Sequence, residues 1–466
     1  MSGLLKIAEI AELDSRRNIL RIPPEVDVPL TGRVRRLIDT REFQRLNRIR
    51  QLGLVSRVYP GAMHTRLEHS LGVFRLAVLL LKRLAYDPVF SRKVPLWGGE
   101  LFLLTALLHD LGHYPYCHPI EDLQLPDSIR HETRIARYLR DETSELVRGI
   151  REDWQQEPDD VLYLLSGQRP SRPTPLSENP ALYRLLASLL SGPVDIDKMD
   201  YLQRDSLHAG VPYGRNFDQE RLLGSLCLNA GGDGLAISSK GKTAAELLVF
   251  ARYVMFSEVY WHHAVRSATA MLQRLYFTLW QKNGREFSEK LLASTDDEAE
   301  TLFHEHVRGD SAETLWQGLF GSRRILYKQA AEFTFYEHPE IYHAIARKPY
   351  AWMVRLAEDL ASQLSKRVGR KVEPVEVLVD APPREREVEF VVDIYDAKER
   401  KYHPFADVSP VVKALAVRQF DDFVKRVRIF LHPALKQIVP SEVWKELLHE
   451  IPSHRESDLP LKERNA

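Results

Sequence analysis

The chain has 466 residues, 44% hydrophobic and 28% charged, a balance that excludes a disordered or fibrous polypeptide and a length beyond what one hydrophobic core comfortably supports. Lys plus Arg and Asp plus Glu number 65 each, so the formal net charge of zero gives no bulk electrostatic case for coating nucleic acid or an anionic membrane. The two cysteines, Cys117 and Cys227, lie far apart, which argues against a disulfide framework and for a reducing compartment, with the cytoplasm as the expected location.

The N-terminal segment MSGLLKIAEIAELDSRR carries acidic residues where a signal peptide needs an uninterrupted apolar region. No later stretch reaches the roughly 18 apolar residues of a membrane span, and the longest run, Leu76 to Leu81, is cut by Lys82 and Arg83, so a soluble protein is expected. From Arg33 to Ala85 and from Leu101 to Leu108 apolar residues recur at helical spacing, which predicts a mainly α first half. Residues 141–180 are polar, end in the Pro-rich GQRPSRPTPLSENP, and read as a helix followed by an irregular surface insertion within a core spanning 1–280. LCLNAGGDGLAISSKGK, Leu226 to Lys242, alternates around a glycine-rich turn and predicts a β-hairpin. A long helix is expected from Thr243 through Leu279. A helical extension over 281–370 follows, then a small α+β appendage over 371–452 built on VEVLVD and VEFVVDIYD, and a polar tail over 453–466. No internal repeat is visible.

Chemistry concentrates in three stretches. LFLLTALLHDLGHYPYCH, Leu101 to His118, is an apolar helix that delivers adjacent His109 and Asp110 at its end, followed by Gly112 and two more histidines. Imidazole and carboxylate are ligands for a borderline-to-hard divalent ion, although a His-Asp pair by itself equally fits a helix-end hydrogen bond. Upstream, HTRLEHSLGVFRLAVLL sets His69 on one helical face with Gly72, Val73, Leu76 and Leu80, where a lone histidine equally fits a satisfied core residue. Downstream, PVDIDKMDYLQRD interleaves Asp195, Asp197, Asp200 and Asp205 with Lys198 and Arg204, acids that need cation or hydrogen-bond partners if buried. Together these offer a metal ligand set of His69, His109, Asp110 and Asp197 on helices that a bundle can bring together.

The joint order of HTRLEHSLG, HDLGHYPYCH, RHET and DIDKMDYLQRD resembles the HD superfamily, and specifically its deoxynucleoside triphosphate triphosphohydrolase branch, over roughly Leu30 to Leu275 and more faintly beyond. The resemblance implies an HD-domain helical bundle with a small β-hairpin. It also implies a divalent cofactor held by His69, His109, Asp110 and Asp197 that polarises a phosphate and a water. Mg, Mn, Fe, Co, Ni and Zn are not distinguished, with Mg or Mn favoured for activity. It assigns proton transfer to His113, His118, Glu121 and His131, with His118 placed to protonate the departing nucleoside oxygen and Glu121 standing where the family pattern has aspartate. Arg66 matches a group that grips the phosphate nearest the sugar, and Lys198, Tyr201 and Arg252 match groups holding the rest of the triphosphate. Gln51 with Leu52, and Asp205, match deoxyribose contacts, and Tyr260 falls where a ring packs near the sugar or base.

Two departures stand out. Phe256 stands where relatives place a histidine one turn after Arg252, which removes a polar contact from the expected nucleotide pocket; and the early segment RIPPEVDVPLTG together with Asn47, which replaces an arginine near Asp39 and Gln44, means that no effector site is carried over. The expected activity is hydrolysis of a deoxynucleoside triphosphate to deoxynucleoside and tripolyphosphate. The competing readings are a phosphatase or phosphodiesterase acting on another nucleotide, and a catalytically silent nucleotide-binding regulator. A homo-oligomer is expected by analogy with the family; a membrane partner is not, and a nucleic-acid partner has no support in the charge balance.

Overall fold

The computed structural model describes residues 3–15, 17–24, 26–126, 130–383, 391–416 and 424–449; the tail expected at 453–466 lies outside them. The fold is mainly α. Its strands are β1 (Ile19–Ile22), β2 (Val26–Pro29), β3 (Leu226–Leu228), β4 (Leu235–Ser238), β5 (Lys328–Phe333), β6 (Val377–Asp380), β7 (Asp393–Asp396), β8 (Lys401–Pro404) and β9 (Val427–Leu431). Among the described residues no helix is long and apolar enough to cross a membrane. The chain divides into two compact units, the first drawn from 1–113, 130–255 and 388–418, the second from 114–129, 256–387 and 419–466.

The first unit is built on α1 (Arg66–Leu84), α2 (Leu96–Leu108), α3 (Ile196–Ala209) and α4 (Lys242–Met255), with α1 packed against α2 and α3, and α3 against α4. Thr65 caps α1 by accepting from the Glu68 amide, and Lys82 and Arg83 complement the dipole at its far end. Asp195 caps α3 through the Lys198 amide, and α3 stops at Gly210, whose φ of 71° ends the helix in the left-handed conformation that glycine tolerates. From Leu101 to Leu108 α2 is apolar around nearly its whole circumference, as a helix at the centre of a bundle must be: Leu101, Phe102, Leu103, Leu104, Leu107 and Leu108 are all inaccessible to solvent. Each such side chain contributes about 1.5–3 kcal/mol through removal from water. α2 is therefore a rigid post for whatever stands at its C-terminus.

The expected hairpin is present as antiparallel β3 and β4, with Leu226 opposite Ile237. It is extended by chain from much later: β7 pairs in parallel with β4, Ile394 facing Ile237, and β8 pairs antiparallel with β7. The second unit holds α5 (His263–Ala293), α6 (Asp296–Val307), α7 (Glu313–Phe320) and α8 (Tyr350–Val368), with an antiparallel sheet in the order β5-β9-β6. All five residues of the central strand β9 are buried. Arg266 on α5 makes a buried bidentate pair with Asp380 of β6, at 2.5 and 3.1 Å, and lies over the Trp261 ring.

Three expectations change. The single helix from Thr243 to Leu279 is instead α4, a π-helical turn over Phe256–Tyr260, and α5, because His262 leaves the helical region (φ −55°, ψ 134°) and its ring starts a new helix by accepting from the Ala264 amide. Residues 167–179 form the irregular, largely exposed connection expected, but residues 141–166 are not a surface insertion. The helices Glu145–Glu152 and Pro158–Ser166 bury Leu146, Val147, Ile150, Val161 and Leu162, Trp154 is 1% exposed, and the buried Asp160 carboxylate accepts from the Thr174 hydroxyl and the Leu176 amide. Polar residues on the outer faces mask that amphipathic spacing. The β-rich C-terminal stretch also does not stay together: β6 and β9 join β5 in the second unit, while β7 and β8 complete the hairpin sheet of the first. The β1–β2 hairpin and β5 had no counterpart in the sequence expectations.

Leu104→Ala should lower stability by about 2–5 kcal/mol, as expected for a cavity at a site that cannot collapse. An unfolding midpoint unchanged from wild type in denaturant titration would remove α2 from the centre of the bundle.

Candidate metal centre

His69 stands in the first turn of α1, and the chain entering that helix is fixed on both sides. Arg50 and Thr65 form an isolated antiparallel bridge, the Gln51 amide donates to the His64 carbonyl, and the Arg66 amide donates to the Ile49 carbonyl. His109 follows the last residue of α2, and the chain then turns tightly through Asp110 to His113. Two contacts lock this turn. Arg45 donates through Nη2 to the carbonyls of Leu111 and His113, at 2.9 and 2.6 Å, and a Cβ on Gly112 would lie 2.1 Å from the His131 carbonyl oxygen. Asp197 sits in the first turn of α3, where the helix dipole favours a carboxylate.

These elements aim their side chains at one point. His69 Nε2 lies 3.0 Å from Asp197 Oδ1 and 3.3 Å from His109 Nε2, and His109 Nε2 lies 3.8 Å from Asp197 Oδ1. Asp110 joins at the edge, with Oδ1 3.5 Å from His109 Nε2. His69, His109 and Asp197 form a mutually convergent set able to hold an ion. Asp110 reaches that set through His109, while its other oxygen accepts from Arg66 Nη1 at 2.8 Å.

The tautomers decide whether a metal fits. His109 Nδ1 lies 2.9 Å from the Ala106 carbonyl and must donate to it, which leaves a lone pair on Nε2. His69 Nδ1 lies 2.9 Å from Asp200 Oδ2, a carboxylate that accepts, and this again leaves the lone pair on Nε2. Two imidazole lone pairs facing each other at 3.3 Å, beside a carboxylate, are repulsive unless a cation lies between them. The donor set of two imidazoles and carboxylate oxygen suits a borderline-to-hard divalent ion. The proton affinities carry the same message. Burial alone would depress His69, but the hydrogen bonds it donates to Asp197 and Asp200 and the charge of Asp110 push it up to about 10. Against their own burial, Asp110 is held well below the usual carboxylate range by His113 and Arg66, and Asp197 is lowered by His69. Without a metal the cluster recruits a proton as its cation.

The remaining expected residues of the first unit are found in varied states. Arg66 is 3% exposed, and its Nε has no hydrogen-bond partner among the described residues. Lys198 Nζ donates to Asp195 Oδ2 at 2.7 Å and to the Gly192 carbonyl at 3.0 Å. Burial pushes the Tyr201 phenol up to about 12 despite the cations Arg252 and Lys198, so it remains a donor at neutral pH. Arg252 is buried. Gln51 and Leu52 lie in the loop leading from the Arg50 bridge into the 3-10 turn Gly53–Arg57, and the Gln51 Oε1 is buried with no partner among the described residues. Asp205 is 2% exposed and accepts from His64 Nε2 at 2.9 Å. His113 Nδ1 lies 3.0 Å from Asp110 Oδ1, and the rings of His113 and His131 are 3.8 Å apart.

His118, Glu121 and Tyr260 belong to the second unit. His118 is exposed and Glu121 half-buried on the short helix Cys117–Glu121, which is fixed to α5 by Gln273 donating to the Pro119 carbonyl. Tyr260 closes the π-helical turn with its ring edge-on to Phe256. Sequence reasoning gave no role to Glu68, Asp200, Arg204, His64, His208 or Arg45. The spacing Asp197, Asp200, Arg204 at steps of three and four on α3 was the available signal.

Comparison with known proteins gives these residues a family setting. Residues 66–205 match the model of the HD domain, and residues 217–455 match that of the HD associated region. The chain is similar to the uncharacterized protein YwfO of Bacillus subtilis, 37% identical over 242 residues that cover 51% of this chain and 50% of that one. It is also similar to the deoxynucleoside triphosphate triphosphohydrolase SAMHD1 of Danio rerio, 33% identical over 208 residues covering 40% of this chain and 32% of that one. The chain thus spans half or less of the length of these two relatives. A solved structure of a phosphohydrolase from Bacteroides thetaiotaomicron shares the fold, with a TM-score of 0.66 and 24% identity over 89% of this chain and 100% of that one.

Removing one imidazole from the convergent set should weaken divalent-ion binding by more than about tenfold. Titration calorimetry of His109→Ala with Mn²⁺ tests this; wild-type affinity in the folded variant would mean that these side chains do not hold the ion.

Proposed function

We propose that this chain, which belongs to the HD-domain family, is a metal-dependent phosphohydrolase that cleaves deoxynucleoside triphosphates to deoxynucleoside and tripolyphosphate. The observation that carries the reading is the convergence of His69, His109 and Asp197 beside an Asp110–Arg66 pair. These residues would hold a divalent ion, with Asp110 completing the set. Bound there, the ion supplies Lewis-acid polarisation of a phosphoryl oxygen. The similarity to a deoxynucleoside triphosphate triphosphohydrolase supports the substrate class.

The protein's own groups then divide the remaining work. Arg66 keeps Asp110 ionised and in place, and its unpartnered Nε is a buried donor that an anionic oxygen would satisfy. Lys198 uses two of its three N–H donors on Asp195 and Gly192, leaving one for a phosphate. Tyr201, kept neutral by burial, donates a hydrogen bond to the same kind of oxygen, and Arg252 adds a second guanidinium. Such donors, fixed before substrate arrives, stabilise charge that develops on a transferring phosphoryl group. The buried Gln51 Oε1 is an acceptor suited to a sugar hydroxyl, beside an apolar Leu52 that offers nothing to a 2′-hydroxyl. The proton-transfer roles of His113, His118, Glu121 and His131, and the packing of Tyr260 near the sugar or base, rest on the family resemblance.

The test is incubation of the purified protein with each dNTP and NTP in Mg²⁺ or Mn²⁺, with identification of the phosphate released. Tripolyphosphate from dNTPs is expected. Pyrophosphate with a nucleoside monophosphate, or turnover of a different phosphate ester alone, would replace this reading with that of a phosphatase or phosphodiesterase. Asp110→Ala should reduce turnover to background, and undiminished activity in that variant would displace the site.

A further inference from the structure

His69 is held from behind by a set of charged groups that the metal and substrate assignments do not use. Its Nδ1 meets Asp200 Oδ2 at 2.9 Å, on the side of the ring opposite the Nε2 that faces His109 and Asp197. Asp200 is itself clamped by Arg204, which donates Nε to Oδ2 and Nη2 to Oδ1, each at 2.8 Å. The third guanidinium nitrogen, Nη1, donates to Glu68 Oε1 at 2.6 Å and to the Pro23 carbonyl at 3.0 Å, and His208 Nε2 meets the same Glu68 oxygen at 2.8 Å. Asp200 and Arg204 are 6% and 4% exposed.

The backbone makes room for this clamp at one position. A Cβ on Gly72, three residues after His69 on α1, would lie 2.0 Å from Asp200 Oδ1 and 2.4 Å from Arg204 Nη2. Only glycine lets α3 lay its carboxylate and guanidinium directly against the turn of α1 that carries His69. α3 thus presents three functions on one face at helical spacing: Asp197 toward the convergent point, Asp200 behind His69, and Arg204 behind Asp200.

We infer that Asp200 and Arg204 are positioning residues for the metal: the carboxylate fixes the His69 tautomer and ring orientation that point its Nε2 lone pair at the ion, and Arg204, braced by Glu68, fixes the carboxylate. Asp200 cannot be a ligand in this arrangement, since the imidazole stands between it and the convergent point. A carboxylate behind a ligating imidazole raises its donor strength and removes the rotational freedom it would otherwise lose on binding. Arg204 supplies both oxygens with planar, bidentate donors that a lysine cannot match.

The inference rests on the metal centre described above but not on the substrate, so the test reads metal binding in the absence of nucleotide. Mn²⁺ affinity is measured by titration calorimetry on the full chain for wild type, Asp200→Asn and Arg204→Lys, with circular dichroism melting to establish that each variant is folded. Asp200→Asn should bind Mn²⁺ about 10–100-fold more weakly than wild type, and Arg204→Lys should weaken binding in the same direction by a smaller factor. A purely structural ion pair would lower the melting temperature and leave the affinity of the folded protein unchanged. That result in either folded variant overturns the inference, as does a wild-type protein that binds no divalent ion. A wild-type protein that binds Mn²⁺ with this pattern yet cleaves no dNTP leaves the inference standing and removes the proposed substrate instead.

Discussion

The structure depends on a concentration of lone pairs and negative charge at one point that must recruit a cation, whether a metal ion or a proton on His69. His69 and His109 turn the same ring nitrogen toward each other because each has committed its other nitrogen to an acceptor, one to Asp200 and one to a backbone carbonyl. Asp197 then adds an oxygen to the same point. Folding to this state without a cation would strand electron pairs in a poorly solvated place, which is costly. The bundle tolerates the arrangement because its frame is stiff: α2 is inaccessible on all sides from Leu101 to Leu108, and the turn after it is tied by Arg45 and by the glycine contact with the helix beginning at His131. Stability in the frame and cation demand at its end are two parts of one design, in which the core resists the rearrangement that would let the site relax.

The charges around that point are graded by solvent access. Asp110, Asp200, Arg66 and Arg204 are nearly fully buried and satisfy one another through charge-assisted hydrogen bonds, whereas Asp197 remains about a third exposed. Removing one member of a buried pair is expensive because the other is left uncompensated. The buried pairs are therefore the least replaceable, and the more exposed Asp197 is the group that solvent can approach. The oxygens of Asp110 face in different directions, one accepting from Arg66 and the other lying 3.0 Å from His113 Nδ1 and 3.5 Å from His109 Nε2, so this single residue links a buried guanidinium to the convergent histidines.

Much of the frame was legible in the sequence. The apolar run from Leu101 to Leu108 announced a buried helix, the glycine-rich turn near Gly231 announced a hairpin, and the order of His69, His109, Asp110 and Asp197 carried a family resemblance. What escaped notice has physical causes. The amphipathic faces around Ile150 and Val161 were diluted by a polar exterior, so a buried segment looked like surface. The π-helical turn at Phe256 leaves the apolar spacing on both sides intact, so periodicity ran straight through it. Asp200 and Arg204 were visible only as charge density, because their role depends on which side of His69 they occupy, and that is set by the crossing of α1 and α3 at Gly72. Strand partners were illegible for a different reason: VLVD and DIYD are alike in composition, yet one pairs with β9 and the other with β4.

That last pairing has a consequence for how the polypeptide is made. β4 lies in the first unit and emerges early from a ribosome, but its parallel neighbour β7, with Ile394 set against Ile237, follows only after most of the second unit has been synthesised. Until then β4 presents an open edge of unpaired amides and carbonyls, the surface on which nascent chains associate with one another. The first unit cannot finish folding as its own residues leave the exit tunnel; it must wait for a strand delivered through another unit. A chain stalled before residue 391 would carry the helices bearing His69, His109 and Asp197 beside a hairpin that still lacks its parallel neighbour.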